Sequence, residues 1–166
     1  IKNVHGKEDT LITIQIDMLL AKKFGMEYTD SNDQRVTPYI IHRTSLGCYE
    51  RTIALLIEKY GGALPTWLSP EQVRILPITE DQNEYAEEIK KKLLRCGFRP
   101  EVDSRYEKIG FKIREAQLEK VPYMLVVGAK EMEEGKVAVR SRKEGDLGAV
   151  ALDEFIAKLH DEVDNK

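Results

Sequence analysis

Residues 122–127 read PYMLVV, a strand-length run that is apolar throughout. A strand with no polar side to offer water belongs in a sheet covered on both faces. The flanking sequence supplies those covers. Residues 83–95 have helical spacing, with Ala86, Ile89 and Leu93 inward. Residues 108–119 read as a second helix. Residues 152–163 read as a closing helix, with Leu152, Phe155, Ile156, Leu159 and Val163 on one face. Strands are expected at 73–78, at 97–102 after a glycine stop, and at 135–141 beyond the turn MEEG. The alternation of strand and helix predicts a three-layer α/β domain over 71–166, a mixed sheet flanked by helices.

Residues 1–70 have a different grammar. In TLITIQID (10–17), Ile12, Ile14 and Ile16 alternate with Thr13, Gln15 and Asp17, which predicts a strand with one polar face. A short helix is expected at 18–24, ended by Gly25. SNDQ at 31–34 has turn chemistry. A strand is expected at 36–42, with Pro38 marking an edge position. A helix is expected at 47–60, with Ile53, Leu56, Ile57 and Tyr60 on one face. Short strands and one long helix suggest an antiparallel sheet backed by a helix. GGALPTWLSPEQ (61–72) reads as a connector, pinned by Trp67 and Leu68.

Composition narrows the function classes. Hydrophobic residues make up 42% and charged residues 33%, ordinary for a soluble globular protein. No apolar run approaches the roughly 18 residues of a membrane span. The start at Ile1, without Met or a signal-peptide pattern, reads as a fragment or processed product. Two distant cysteines, Cys48 and Cys96, fit a reducing compartment. A net charge of −3 does not announce a nucleic-acid binder, so local clusters must carry any such role.

Several clusters could do so. His42 ends an apolar run, but no second ligand lies at metal spacing. It can serve a metal only with distant partners; otherwise it is structural or exposed. Arg51 lies one turn into a helix that follows Gly47, where a guanidinium can stack on a base or grip phosphate, or simply be solvated. Thr13, Gln15 and Asp17 could floor a pocket for a small polar substrate. Residues 105–114 carry Arg105, Lys108, Lys112 and Arg114, and residues 136–143 carry Lys136, Arg140, Arg142 and Lys143. With Tyr106 and Phe111 interleaved, these fit a single-stranded RNA surface as well as they fit solvated faces. Glu131, expected on a loop between strands, could accept from base edges. The sequence has no P-loop, GxGxxG, GxSxG or HExxH.

GKEDTLITIQIDM, YIIHRTSLGCYERT, GALPTWLSPEQVRILPI and EKIGFKIREAQLEKVPYMLVVGAKEMEEGKVAVRSR resemble the C-terminal part of threonyl-tRNA synthetases nearly end to end. The resemblance implies the end of a class II catalytic domain over 1–70 and an anticodon-binding domain over 71–166. It implies that His42 is one of three protein ligands to a catalytic zinc, the other two lying upstream of Ile1. Arg51 would stack on the adenine of ATP, which enters with Mg2+. Thr13 and Gln15 would sit beside threonine and its adenylate, with Asp17 close by. Cys48 stands near the nucleotide pocket where serine is common.

For tRNA(Thr), the resemblance places the anticodon contacts at Tyr106, Lys108, Lys120, Glu131 and Arg140. Tyr106 stands where asparagine is usual, and Lys120 where arginine is frequent. The implied parent is a cytoplasmic, homodimeric ligase of threonine to tRNA(Thr). The chain itself is expected to be monomeric and inactive, retaining mainly anticodon recognition. Two alternatives are a synthetase-derived RNA- or protein-binding module without catalysis and a small α/β signalling domain.

Overall fold

Two strands four residues long form the largest ladder at the start of the chain. In the computed structural model, which describes residues 1–165, the fold divides into a unit spanning Ile1–Lys59 and a second that begins at Tyr60. In the first unit, β1 (Ile14–Asp17) pairs antiparallel with β4 (Ile40–Arg43), setting Gln15 opposite His42 and Asp17 opposite Ile40. Between them lie α1 (Leu20–Lys23) and a hairpin of β2 (Tyr28–Thr29) and β3 (Arg35–Val36). The expected 31–34 turn closes that hairpin. The Asp30 carboxylate accepts from the Asn32 and Gln34 amides at 2.8 and 2.9 Å.

The strand expected over 36–42 is split. Pro38 has no N–H for a ladder, and Thr37–Pro38–Tyr39 separates β3 from β4. Helix α2 (Tyr49–Tyr60) forms as expected, but buries none of its residues. Ile14 is 67% exposed, and Ile12, Ile16, Ile53 and Ile57 are exposed too. The apolar periodicity locates β1 and α2, yet this unit does not enclose the face that the pattern predicts.

The second unit is a five-stranded sheet in the order β6-β5-β7-β8-β9. These strands are β5 (Val73–Pro77), β6 (Pro100–Val102), β7 (Tyr123–Val127), β8 (Lys136–Ser141) and β9 (Gly145–Ala151). The first three are parallel, while β8 and β9 run antiparallel. Helices α3 (Asn83–Arg95) and α6 (Leu152–Asp164) cover one face. Their Ala86, Ile89, Leu93, Phe155, Ile156 and Leu159 pack on Val73, Ile75, Leu125, Val127, Val137 and Val139. Helix α4 (Ile109–Leu118) covers the other, with Ala116 and Ile113 against Leu76, Met124 and Val126. Every side chain of β7 is thus spoken for, which is why PYMLVV needs no polar residue.

Two elements depart from the expected pattern. MEEG is the end of helix α5 (Ala129–Glu134), stopped at Gly135, whose φ of +65° a glycine adopts without strain. Strand β9 was not expected; its two glycines interrupt the apolar pattern of Leu147 and Val150, and it stands at the sheet edge. In the connector, Trp67 is exposed. Leu68 is half-buried, and polar groups also fix this segment: Thr66 Oγ1 donates to Glu162, Gln72 Nε2 to the Thr66 carbonyl at 3.0 Å, and Arg99 to the Trp67 and Ser69 carbonyls.

Candidate nucleic-acid interface

Helices α3 and α4 lie on opposite faces of the sheet, so the loops leaving β5 and β6 diverge. Such divergence opens a crevice at the C-terminal ends of parallel strands, the usual ligand position in open α/β sheets. Here the crevice holds about 440 Å³. Ile78, Thr79, Glu80 and Asn83 form one wall, Ser104 to Lys108 the other, and Lys112 the floor.

Local sequence explains both walls. After β5, Thr79 and Gln82 close a capping box, with Gln82 Oε1 accepting from the Thr79 amide at 3.0 Å and hydroxyl at 2.8 Å. That T-x-x-Q signal is readable in sequence, although this wall was not among the expected site residues. After β6, the Asp103 amide donates to the Ile75 carbonyl at 3.0 Å. The Asp103 carboxylate then takes two bonds from the Arg105 guanidinium, at 2.8 and 2.7 Å. This pair holds the Asp103 carboxyl below the usual carboxylate range. Arg105 also pairs with Glu115 of α4. The loop therefore arrives at Tyr106 and Lys108 already fixed.

Tyr106 is 91% exposed at the crevice rim, and exposed Lys108 occupies the N-cap position of α4 without a side-chain cap bond. Glu131 is not on a loop; it lies in the first turn of α5, and its carboxylate accepts from the Gly128 amide at 3.0 Å. Gly128 follows the end of β7 beside Ile78; a Cβ there would meet Ile78 Cδ1 and Glu131 Oε2 at 2.9 Å. Tyr106, Lys108 and Glu131 thus share one end of the sheet.

Arg140 stands opposite Met124 on β8, so it lies on the α4 face about 10 Å along the strand from Val127. It is half-buried, and its guanidinium is 3.5 Å from Asp146. Lys120 follows the C-terminus of α4, at the other end of that helix from Lys108, with φ +61°. Its Nζ donates to the Gly61 carbonyl.

The two basic clusters are less available than their charge suggests. Lys112 is buried. Arg142 donates to the Leu64 carbonyl at 2.7 Å and to the carbonyls of Ala63 and Lys120. Lys136 pairs with Glu134 at 2.8 Å.

In the first unit, Gln15, Ile16, Asp17, Met18 and His42 line a shallow hollow. His42 Nε2 lies 3.3 Å from Asp17 Oδ2. The other Asp17 oxygen accepts from the Leu19 and Leu20 amides, both at 2.8 Å, and these bonds lower the carboxyl pKa. Thr13 meets Thr44, Cys48 Sγ donates to Glu50, and Arg51 donates to the Thr10 carbonyl at 2.9 Å. The structure therefore places His42, Gln15 and Asp17 together, with Arg51 and Cys48 bonded elsewhere. No group of three His, Cys, Asp or Glu able to hold a metal occurs among the described residues. Among the described residues, no helix is long and apolar enough to cross a membrane.

Residues 72–162 match the family model described as Anticodon binding domain. Threonine--tRNA ligase of Clostridium botulinum is 59% identical over 165 residues, which is 99% of this chain and 26% of that protein. The corresponding ligase of Clostridium perfringens is 57% identical over the same shares. The chain spans about a quarter of the length of these curated relatives. A solved RNA-binding domain of threonyl-tRNA synthetase from Cryptosporidium parvum Iowa II superposes with a TM-score of 0.81 at 37% identity. It covers 97% of this chain and 41% of that one. Prolyl-tRNA synthetase from Cryptosporidium parvum, at 24% identity and TM-score 0.73 over 93% of this chain and 34% of that one, shares the fold.

Proposed function

Because this chain belongs to the anticodon-binding domain family, we propose that its second unit reads the anticodon loop of a tRNA, tRNA(Thr) in the first instance. The observation that carries this is the crevice at the ends of β5 and β6, with the exposed Tyr106 ring and Lys108 at its rim. Single-stranded RNA is read by stacking splayed bases on aromatic rings and bonding their edges. Tyr106 offers a ring, Lys108 a donor and Glu131 an acceptor. Arg140, on β8 and about 10 Å along the strand from the Val127 end, would meet a different base or phosphate from Tyr106. Lys120 would serve the far margin.

The longer protein is proposed to join threonine to tRNA(Thr) through an adenylate, using ATP with Mg2+. Arg51 would stack on adenine, Gln15 and Thr13 would lie against threonine, and Asp17 and Cys48 would border the pocket. Zinc belongs to this reading only as a cofactor of the longer protein, with His42 supplying one ligand. A cytoplasmic homodimer is the expected setting. The chain on its own is expected to show no threonine-dependent pyrophosphate exchange, and detecting such exchange would overturn that assignment.

The test of the RNA reading is binding of a threonine anticodon stem-loop and of a scrambled-anticodon loop at two salt concentrations. Preference for the cognate loop supports it. Equal, steeply salt-dependent binding to both would reduce the surface to a non-specific phosphate binder.

A further inference from the structure

Lys112 is charged, yet only 3% exposed. Its place on α4 explains this. It is four residues before Ala116 and next to Ile113, on the stripe that faces the sheet. Its Nζ donates to the Pro77 carbonyl at 3.1 Å and to the Asp103 carbonyl at 2.9 Å. These are the carbonyls at the end of β5 and just beyond β6, where the two walls of the crevice begin. Its two bonds go to backbone, and desolvation lowers its pKa. A buried ammonium is costly, and an apolar side chain there would be cheaper to bury. What the ammonium supplies is a tie between two diverging loops, made at the floor of the space that they enclose.

We propose that Lys112 is a positioning residue for base recognition: it fixes the spacing of the crevice walls, and hence the placement of Tyr106, without contacting RNA phosphate. The proposal rests on the reading of the second unit as an anticodon binder. It separates Lys112 from the exposed Lys108 of the same cluster, which the sequence groups with it. An exposed phosphate-binding lysine contributes about one unit to the slope of log affinity against log salt. Lys112 contributes to discrimination instead, because a loop displaced from its place presents Tyr106 and Lys108 to the wrong positions.

The test uses the 166-residue chain and the variants Lys112→Met and Lys112→Gln, with the cognate and scrambled stem-loops titrated over a salt series. Amide hydrogen exchange over residues 103–108 is measured without RNA. The expected result is faster exchange in that loop, cognate preference reduced about tenfold, and an unchanged salt slope. A slope smaller by about one unit, with preference intact, would make Lys112 a phosphate contact and overturn the proposal. Variants that match the parent in preference and exchange would overturn it too. Failure of both variants to fold would also overturn it, by making the lysine a residue of the core alone. If the parent chain shows no cognate preference, the RNA reading fails instead, and the exchange data alone decide whether Lys112 ties the walls.

Discussion

Thr66 and Glu162 are 96 residues apart in sequence and 2.8 Å apart in space, with the threonine hydroxyl donating to the glutamate. The second oxygen of Glu162 accepts from the Tyr123 hydroxyl at 2.5 Å. One carboxylate on α6 thereby joins the connector to the central strand β7. Burial and this carboxylate keep the Tyr123 hydroxyl protonated well above the usual tyrosine range. Replacing Glu162 by Ala leaves the Tyr123 hydroxyl beside Ser141 alone. Denaturant unfolding is expected to show a loss of about 1–3 kcal/mol. Thr66→Ala removes one bond and should cost less, and the double variant should lose less than the two costs added together. Simple additivity would mean that the three groups do not act as a unit.

Asp103 predicts a pH dependence. Arg105 holds its carboxyl below the ordinary value, so the folded state favours the ionised form. Its contribution is fully present above the unfolded carboxyl value near pH 4, and is lost as pH falls through the lower folded-state value. The stability gap between the parent chain and Asp103→Asn, measured by urea unfolding, should be constant from pH 7 to about pH 5 and close below about pH 4. A gap that persists unchanged at pH 2 would rule out the ionic origin.

The second unit was largely legible in the sequence because its helices bury what their period says they bury. Ala86, Ile89 and Leu93, and Phe155, Ile156 and Leu159, all sit in the core. The misses have local causes. Helix α5 spans six residues with one large apolar side chain, Met132, too little for a period to show. Strand β9 contains Gly145 and Gly148 and sits outside a register shift between Val139 and Arg140. The site was legible by residue type more than by role. Tyr106 and Lys108 are where a surface reading puts them. Lys112 and Arg142 carry the same charge as their neighbours, but their partners are backbone carbonyls distant in sequence, which a local pattern does not reveal.

Arg140 and Arg142 should separate cleanly, though only one residue lies between them. Arg142 bonds carbonyls of the connector and of Lys120, so Arg142→Ala should cost about 1–3 kcal/mol of stability. Affinity for RNA per folded molecule should not change. Arg140→Ala should leave the unfolding midpoint within about 0.5 kcal/mol of the parent and weaken the cognate stem-loop about tenfold. Anisotropy titrations beside unfolding curves check both. A reversed pattern would mean that the half-buried Arg140 braces β9 through Asp146 and that Arg142 reaches the RNA.

Tyr106 gives the sharpest test of how the crevice works, because its ring is nearly all in water. Removing it costs the fold almost nothing, so Tyr106→Ala should unfold within about 0.5 kcal/mol of the parent. If a base stacks on the ring, the same change should weaken the cognate loop by about 1–3 kcal/mol. The salt slope should stay where it was, since the ring carries no charge. Tyr106→Phe keeps the stacking face and should bind like the parent. Tyr106→Asn exchanges a face for a hydrogen-bonding edge and should bind more weakly. If Ala, Phe and Asn all bind equally, the ring is not a platform. Recognition would then rest on Lys108, Glu131 and Arg140 alone, three polar groups spread from the loop after β6 across to β8.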